Sequence, residues 1–348
     1  MKIIIASTIV PFIEGGGTFI VDWTAKKLQE EGHKVEILKI PFSHVHSHIE
    51  QQMLALRLCN LADSCDRFIS IRTPSYIISH PNHVVWFIHH YRYAYEFWNT
   101  NLQSGIPLTS SGFKERDAVI QADNIYLRKV KKIFTNSLEV GGRLKKYNNI
   151  ESEVLYPPLL DDKMFHNNEY GNYIYYSSRI AGNKRQYLAV QAMKYTKSKV
   201  KLLLSGYPDT PHNAEALNKL IEAENLQDKV TFICRWISEK EKVHYFSDCL
   251  AAIYIPYDED SYGYPSLEAF SSKKAVITCS DSGGTDELIT NNINGFIVDP
   301  NPEALAAAMD KLYNDKKIAR ELGHNAYVTL QEKGINWNNV INKLTLDY

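Results

Sequence analysis

Short apolar runs alternate with amphipathic segments along the whole chain. Near its start, the run KIIIAST is rich in β-branched residues, which is typical of a strand buried in a parallel sheet. The next segment, TFIVDWTAKKLQEEGHK, places Ile20, Trp23 and Leu28 at helical spacing, and Gly32 is a favourable stop. A second strand, KVEILKI, follows. Because strand–helix–strand crossovers are right-handed, this segment predicts a parallel sheet.

The same alternation continues in both halves of the chain. The first half has further predicted strands at RFISIR, HVVWFIHH, KKIFTNS and SEVLYPPLL, with helices at DAVIQADNIYLRKV and LEVGGRLKKY. The second half has predicted strands at YIYYSSR, VKLLLSG, KVTFICR, LAAIYIP and KAVITC. Its predicted helices are KRQYLAVQAMKYT, AEALNKLIEAENL, SEKEKVHYFSDC, PSLEAFSS, TDELIT and NPEALAAAMDKLYN. Ser238 and Glu241 predict a capping box at the start of the third of these helices.

We therefore expect an α/β fold of two doubly wound Rossmann-like domains, at residues 1–160 and 173–335. The polar stretch at 161–172 is the predicted linker, and residues 336–348 are expected to pack back on the first domain. In such sheets ligands bind at the carboxyl ends of the strands. Two domains that face a central cleft place a substrate site there.

Composition narrows the class of protein. The 348 residues suit two domains, and a formal net charge of -1 gives no indication of a nucleic-acid partner. None of the five cysteines forms a CxxC pair, which favours reduced thiols and a cytoplasmic location. The N-terminus lacks the apolar core of a signal peptide, and no apolar run reaches about 18 residues. We therefore expect neither export nor a membrane span.

Two segments that follow strands are candidates for binding an anion. Gly16 and Gly17 lie between the first strand and the first helix, where backbone N–H groups and the helix dipole favour an anion. The spacing is not GxGxxG, and a flexible loop is the alternative. In SSRIAGNKRQ, Arg179 and Lys184 follow a strand and can clamp a diphosphate. Two solvated loop charges are the alternative.

The loop–helix segment DEDSYGYPSLEAF is a candidate for binding hydroxyl groups. Asp260 lies in the loop and Glu268 about one turn into the helix, while Gly263 lets the backbone pass close to a ligand. Carboxylates accept hydrogen bonds from the hydroxyls of sugars and ribose. The alternatives are compensation of the helix dipole by Glu268 and simple solvation of the loop acids. His89, after the strand HVVWFI, is either a ligand contact or a structural residue.

Together, in order, these elements resemble the retaining, GT-B-fold glycosyltransferases of family four, also called glycosyltransferase group 1. The matching elements are the R-x4-K pair Arg179 and Lys184, the loop–helix DSYGYPSLE, the turn GGTDE and the segment NGFIVDPNPEALAAAM. In the first half, WFIHHYRYAYEFW, IFTNSLEVGGRLKKY and LYPPL resemble a bacterial polysaccharide-type subgroup. The resemblance covers nearly the whole chain and is strongest from Tyr173 to Leu312.

The resemblance implies an activity. A sugar would pass from a UDP- or GDP-sugar to a glycan or lipid-linked glycan acceptor, with retention of anomeric configuration, in cell-surface polysaccharide biosynthesis. No metal and no cofactor would be required. A sugar-nucleotide epimerase, or a non-catalytic scaffold partner with the same fold, is the alternative.

The resemblance also implies residue roles. Arg179 and Lys184 would hold the donor diphosphate, with backbone N–H groups of Gly16 and Gly17 on the same phosphates. Glu268 would bind the donor ribose. The transferred sugar would be contacted by five residues: Asp260, His89 and the backbone of Tyr262, Gly263 and Tyr264.

One position departs from the family pattern. The first glutamate of the family motif is Asp260 in this chain, and its side chain is one methylene shorter. Glu259 is its neighbour and takes over the role if the loop is shifted. The sequence leaves both assignments open.

A basic segment suggests a membrane contact. LRKVKKIFTNSLEVGGRLKKY concentrates seven cations that can meet anionic lipid, with a solvated helix face as the alternative. The expected location is therefore the cytoplasm or the inner face of the plasma membrane. The seven residues are Arg128, Lys129, Lys131, Lys132, Arg143, Lys145 and Lys146.

Overall fold

The computed structural model describes residues 1–12, 15–43, 45–100, 103 and 105–348. The chain forms two compact units. The first unit is Met1–Pro157 with Asn336–Tyr348, and the second unit is Pro158–Ile335. Each contains a six-stranded sheet in which all pairings between named strands are parallel. The α/β class and the two doubly wound domains predicted from the sequence are confirmed.

The sheet of the first unit has the order β2-β1-β3-β4-β5-β6. Its direction of growth reverses between β1 and β3, and ligands of doubly wound sheets bind at the carboxyl ends of the strands at such a reversal. The buried runs of β3 and β4 fit their place inside the sheet. The strands are β1 Lys2–Ile9, β2 Lys34–Pro41, β3 Arg67–Ser70, β4 His83–Phe87, β5 Lys132–Thr135 and β6 Glu153–Val154.

Helices cover both faces of this sheet. Ser137 caps α4 by accepting a hydrogen bond from the Val140 N–H at 2.9 Å. One apolar cluster joins the sheet to α1, and another joins it to α2, α3 and α4. The helices are α1 Gly16–Glu30, α2 Ile49–Leu58, α3 Ser110–Tyr126 and α4 Leu138–Asn148.

The sheet of the second unit has the order β12-β11-β10-β7-β8-β9. Counted from β7, this is the 3-2-1-4-5-6 order of dinucleotide-binding folds, and it reverses between β7 and β10. The loops that leave β7 and β10 therefore start side by side at one edge of the sheet. The strands are β7 Tyr173–Ser177, β8 Lys201–Ser205, β9 Val230–Ile233, β10 Ala251–Ile253, β11 Val276–Cys279 and β12 Gly295–Val298.

One helix of the second unit begins at the predicted cap. Ser238 Oγ accepts from the Glu241 N–H at 3.2 Å, and Glu241 Oε2 accepts from the Ser238 N–H at 2.9 Å, so the predicted capping box is confirmed. The predicted helix TDELIT is only a short 3₁₀ segment, Gly284–Glu287. The helices are α5 Gln186–Tyr195, α6 Pro211–Ala223, α7 Glu239–Asp248, α8 Tyr264–Ser271, α9 Pro302–Asn314 and α10 Lys316–Glu332.

The predicted linker and the predicted C-terminal segment belong to different units. Residues 161–172 are attached to the second unit, where the Gly171 N–H donates to the Asp248 carbonyl at 3.0 Å and the Tyr170 hydroxyl donates to the Lys273 carbonyl at 2.7 Å. The last helix, α11 Trp337–Thr345, belongs to the first unit. Within the described part of the chain, no helix is both long and apolar enough to cross a bilayer.

Candidate functional site

The edge of the second sheet where β7 and β10 end brings opposite charges together. The Lys184 ammonium donates to the Tyr254 hydroxyl at 2.9 Å and forms an ion pair with the Glu259 carboxylate. Tyr254 Oη also donates to Glu259 at 3.3 Å. Lys184 follows β7 and the other two residues follow β10, so the pairing depends on the strand order rather than on sequence proximity.

Electrostatics around the Tyr254 hydroxyl place two further residues at this edge. Burial raises the pKa of Tyr254 well above its usual value, and the charges of Glu259 and Asp260 raise it further. The guanidinium of Arg179 opposes that rise. A charged side chain affects the pKa of a hydroxyl appreciably only when the two groups lie close together. Arg179 and Asp260 therefore lie near enough to the Tyr254 hydroxyl for their charges to act on it, with Arg179 exposed to solvent.

Arg185 organises this edge, and sequence reasoning missed it. Its guanidinium donates to both Asp281 carboxylate oxygens at 2.7 and 2.8 Å, and to the carbonyls of Ile255 and Pro256. Arg185 is 7% exposed and has φ +54°, a left-handed conformation. It thus ties the loop after β10 to the loop after β11. The position of Arg185 at a helix N-terminus could have indicated an acidic partner. A cation there is unfavourable with the helix dipole unless an acid pairs with it.

Two glycines shape the acidic loop. Gly263 has φ +73°, and an added Cβ would collide with the Tyr254 ring. Gly283 has φ +62°, and an added Cβ would lie 2.5 Å from the Glu259 carbonyl oxygen. The loop passes between these points with Tyr262 buried, and Tyr264 opens α8.

Glu268 lies on α8 and is buried. It is 4% exposed, and its carboxylate lies 2.7 Å from Lys242 Nζ on α7. Burial raises the pKa of Glu268, and Lys242 opposes the rise. The fold buries the side chain because α7 packs beside α8. Lys242 is therefore a second residue that the sequence did not indicate, since nothing in its local pattern points to α8.

The first unit carries its predicted residues at the carboxyl ends of its own strands. Gly16 and Gly17 begin α1, so their N–H groups belong to the first turn, which lacks intrahelical acceptors. An added Cβ on Gly17 would lie 3.5 Å from Arg72 Nε, which places a cation that follows β3 beside this helix start. Sequence reasoning missed Arg72, although a cation directly after a strand was a usable signal.

His89 is a neutral hydrogen-bonding residue. Burial lowers the pKa of His89 to about 4, and Arg72 lowers it as well. Nδ1 of His89 lies 2.7 Å from the His90 carbonyl oxygen, so Nδ1 carries the proton and Nε2 is the acceptor. His89 is thus suited to accept a hydrogen bond near pH 7 and not to act as an acid.

The seven cations of the predicted basic segment do not form a continuous patch of exposed, unpaired charge. Arg143 is buried and lies 2.8 Å from Glu139 and 3.7 Å from Glu96. Two lysines also form carboxylate pairs: Lys132 with Glu153 at 2.7 Å, and Lys145 with Glu151 at 2.5 Å. Arg128 donates to the Asn148 carbonyl. Three of the seven cations are therefore neutralised within the fold, which weakens the attraction to anionic lipid that the sequence suggested.

Comparison with known proteins finds a family whose model matches residues 161–329. That family is described as "Glycosyl transferases group 1". The mouse alpha-1,3/1,6-mannosyltransferase ALG2 is 31% identical over 140 residues, which are 39% of this chain and 33% of the mouse protein. The capsular polysaccharide biosynthesis glycosyltransferase CapM of Staphylococcus aureus is 26% identical over 190 residues, 53% of this chain and 46% of that protein. The chain thus matches less than half of either relative's length.

A solved structure shares the fold over the full chain. Anabaena Alr3699/HepE, in complex with UDP and glucose, aligns over 99% of this chain and 100% of that chain with a TM-score of 0.72 and 16% sequence identity. At this identity the likeness concerns the fold alone. Residues 161–329 thus match the glycosyl transferases group 1 family, and the two parallel sheets of the chain have the GT-B fold.

Proposed function

We propose that the protein is a retaining glycosyltransferase that moves a sugar from a UDP- or GDP-sugar to a glycan or lipid-linked glycan acceptor. The observation that carries this proposal is the contact of Lys184 with the Tyr254 hydroxyl, whose pKa the charges of Arg179 and Asp260 also affect. Two cations and an acid at the reversal point of a doubly wound sheet suit a diphosphate joined to a polyol. The complex of the Anabaena protein with UDP and glucose supports a nucleotide-linked donor.

The cations act on the leaving group. When the bond between the sugar carbon C1 and the phosphate oxygen breaks, negative charge grows on the diphosphate. Lys184 is fixed by Tyr254 and Glu259, so its charge is in place before the reaction and needs no rearrangement. Arg179 is exposed to solvent, and its guanidinium is proposed to contact the phosphates when the donor binds. Backbone N–H groups of Gly16 and Gly17 add to this stabilisation. In this proposal these groups supply the positive charge that a metal ion would otherwise provide, and no cofactor takes part.

The acids and the loop backbone hold the rest of the donor. Glu259 is paired with Lys184, and Asp260 is the loop acid proposed to accept hydrogen bonds from the sugar. Backbone groups of Tyr262, Gly263 and Tyr264 assist it. Glu268 is proposed to receive the ribose, and Lys242 lies 2.7 Å from its carboxylate.

Retention follows from attack on the face that the diphosphate leaves. The acceptor oxygen forms a bond to C1 while the phosphate bond breaks, and the acceptor proton passes to a phosphate oxygen. His89, neutral and accepting through Nε2, is proposed to position a sugar hydroxyl. The names of the two curated relatives, a mannosyltransferase and a capsular polysaccharide enzyme, support a glycan acceptor. We place the reaction in cell-surface polysaccharide biosynthesis, in the cytoplasm or on the inner face of the membrane.

A donor screen tests the proposal. The purified protein is heated with UDP- and GDP-sugars, and a donor present at 100 times its dissociation constant stabilises the folded state by about 2.7 kcal/mol. At least one donor should raise Tm, and the Lys184→Ala variant should lose that rise. The donor is then incubated with candidate acceptors, and NMR of the product should show the donor's anomeric configuration.

Three results would contradict the proposal. Inversion at C1 overturns retention. Conversion of the donor to a second nucleotide sugar without any acceptor favours an epimerase. A folded protein that binds no nucleotide sugar favours a scaffold partner.

A further inference from the structure

Glu259 occupies an unusual place for an acid in a site that binds a diphosphate. Its carboxylate is paired with Lys184, and the two side chains are only 19% and 13% exposed. Its backbone is fixed on both sides, because the Glu259 N–H donates to the Ser282 carbonyl at 3.2 Å and the Gly284 N–H donates to the Glu259 carbonyl at 2.9 Å. The loop therefore presents this carboxylate to Lys184 from a rigid base.

The neighbouring cation shows that this pairing is not needed to build the loop. Arg185 already ties the loops after β10 and β11 together through two carbonyls and the Asp281 carboxylate. Among the described residues, Lys184 and Glu259 meet through their side chains rather than through carbonyls of that loop. The pair therefore places a negative charge directly against the Lys184 ammonium.

A phosphate and a carboxylate compete for the same ammonium. Lys184 has three N–H donors, of which one is directed to Tyr254 and one to Glu259. A phosphate oxygen that accepts from the third N–H of Lys184 would lie within about 5 Å of the Glu259 carboxylate. Two like charges at that distance repel appreciably near a protein surface, where the effective dielectric constant is about 20.

We propose that Glu259 is an internal counter-anion that weakens the hold of Lys184 on the nucleoside diphosphate and so speeds its release. It is a positioning residue that acts through Lys184, and it is not a ligand of the transferred sugar. This inference rests on the proposed function, since it assumes that Lys184 binds a diphosphate.

Calorimetric titration with UDP and GDP tests the inference. Glu259→Gln keeps the size of the side chain and removes its charge, so it should bind the nucleoside diphosphate on the order of tenfold more tightly. Product inhibition by the same nucleotide should strengthen by the same factor. Glu259→Asp restores the charge and should return the affinity toward that of the wild type.

Asp258→Asn is the matched control. It removes one negative charge one residue away, and asparagine tolerates the backbone of Asp258, which has φ +46°. Its effect on affinity should stay within about twofold, because Lys184 is paired with Glu259. In a Lys184→Met background, Glu259→Gln should no longer tighten binding, which shows that the effect passes through Lys184.

The outcomes separate this inference from the proposed function. Wild-type affinity in Glu259→Gln, or equal tightening in Asp258→Asn, overturns the counter-anion and leaves the proposed function intact. Weaker binding of the nucleotide sugar with unchanged binding of the nucleoside diphosphate makes Glu259 a sugar ligand and also overturns it. A wild-type protein that binds no nucleoside diphosphate overturns both.

Discussion

Burial decides the chemistry of Glu268 on α8. Its carboxylate is 4% exposed and is paired with Lys242 on α7. Removing one partner of a buried pair is costly, because the remaining charge has no compensation. The effect of removing Lys242 on the free energy of unfolding should therefore depend on pH.

Lys242→Met should destabilise the protein more at pH 8 than at pH 5. Burial already raises the pKa of Glu268, and loss of Lys242 removes the opposing effect. The folded protein then binds a proton that the unfolded chain has released, so the free energy of unfolding falls as pH rises above about 4.5. We expect a loss of about 3 kcal/mol at pH 8 in urea unfolding.

The conservative variant Lys242→Arg should recover most of that loss. The double variant Lys242→Met with Glu268→Gln should show little pH dependence, because no titrating group remains in the pair. An equal loss at both pH values in Lys242→Met would contradict the assignment.

The two neighbouring acids of the loop should differ in their effect on turnover. Asp260→Ala removes the proposed sugar contact and should lower kcat about 10²-fold, because an interaction made in the transition state is lost. Glu259→Ala removes a group that is paired with Lys184 and should lower kcat far less. Initial-rate assays with the donor found in the screen measure both. The opposite ranking would assign the sugar contact to Glu259.

At the scale of elements, loops built on adjacent strand ends are held by side chains from outside those loops. Arg185, at the start of α5, is bonded to the loop after β10 and to Asp281 after β11. The predicted strand–loop–helix order was sufficient to place Arg179 and Lys184 on a loop after a strand. It was not sufficient to pair them, because strand order is a property of the whole sheet.

Arg185→Ala should loosen the acidic loop. The carbonyls of Ile255 and Pro256 and the Asp281 carboxylate lose their donor, which should lower the free energy of unfolding by about 2 kcal/mol. The dissociation constant for the nucleoside diphosphate should rise about tenfold, because the loop no longer has one conformation before binding. Chemical unfolding and calorimetry measure the two effects.

Lys194→Ala is the control on the same helix. Lys194 pairs with Glu224 at the surface, and such pairs contribute about 0–1 kcal/mol. If both variants changed stability and affinity equally, Arg185 would have no special role in the loop.

At the scale of the whole molecule, the last segment of the chain stabilises the first unit. The buried Arg67 guanidinium on β3 donates to the carbonyls of Leu344 and Leu346 at 2.9 and 3.0 Å, and so binds the end of α11. Val340 and Leu344 are fully buried in the same apolar cluster as α1. Residues 277 positions apart are thus neighbours.

Deletion of residues 336–348 should destabilise the first unit and spare the second. Three buried apolar side chains, Val340, Ile341 and Leu344, are lost, which corresponds to about 5 kcal/mol, and Arg67 loses its acceptors. Differential scanning calorimetry should show an early transition for the first unit and an unchanged one for the second. Deletion of residues 346–348 alone is the milder comparison. A uniform shift of both transitions would contradict the assignment of α11 to the first unit.

The sequence by itself determined the features that depend on nearby residues. Apolar runs and helical spacing predicted the α/β class, the two doubly wound domains and the Ser238 capping box, because backbone geometry imposes a period that can be read locally. The short motifs placed Arg179, Lys184 and Asp260 on loops after strands. Helices α2, α10 and α11 were not predicted, although the buried positions of α10 recur at helical spacing.

Only the tertiary structure decided how the charged residues pair. Lys184 is 75 positions from Glu259, and Arg185 is 96 positions from Asp281. Their contacts follow from the reversal of strand order between β7 and β10, which no local pattern encodes. The burial of Glu268 against Lys242 depends in the same way on the packing of α7 beside α8. Sequence periodicity reports which face of an element is apolar, but the partner of a buried charge is set by the element that the fold places beside it.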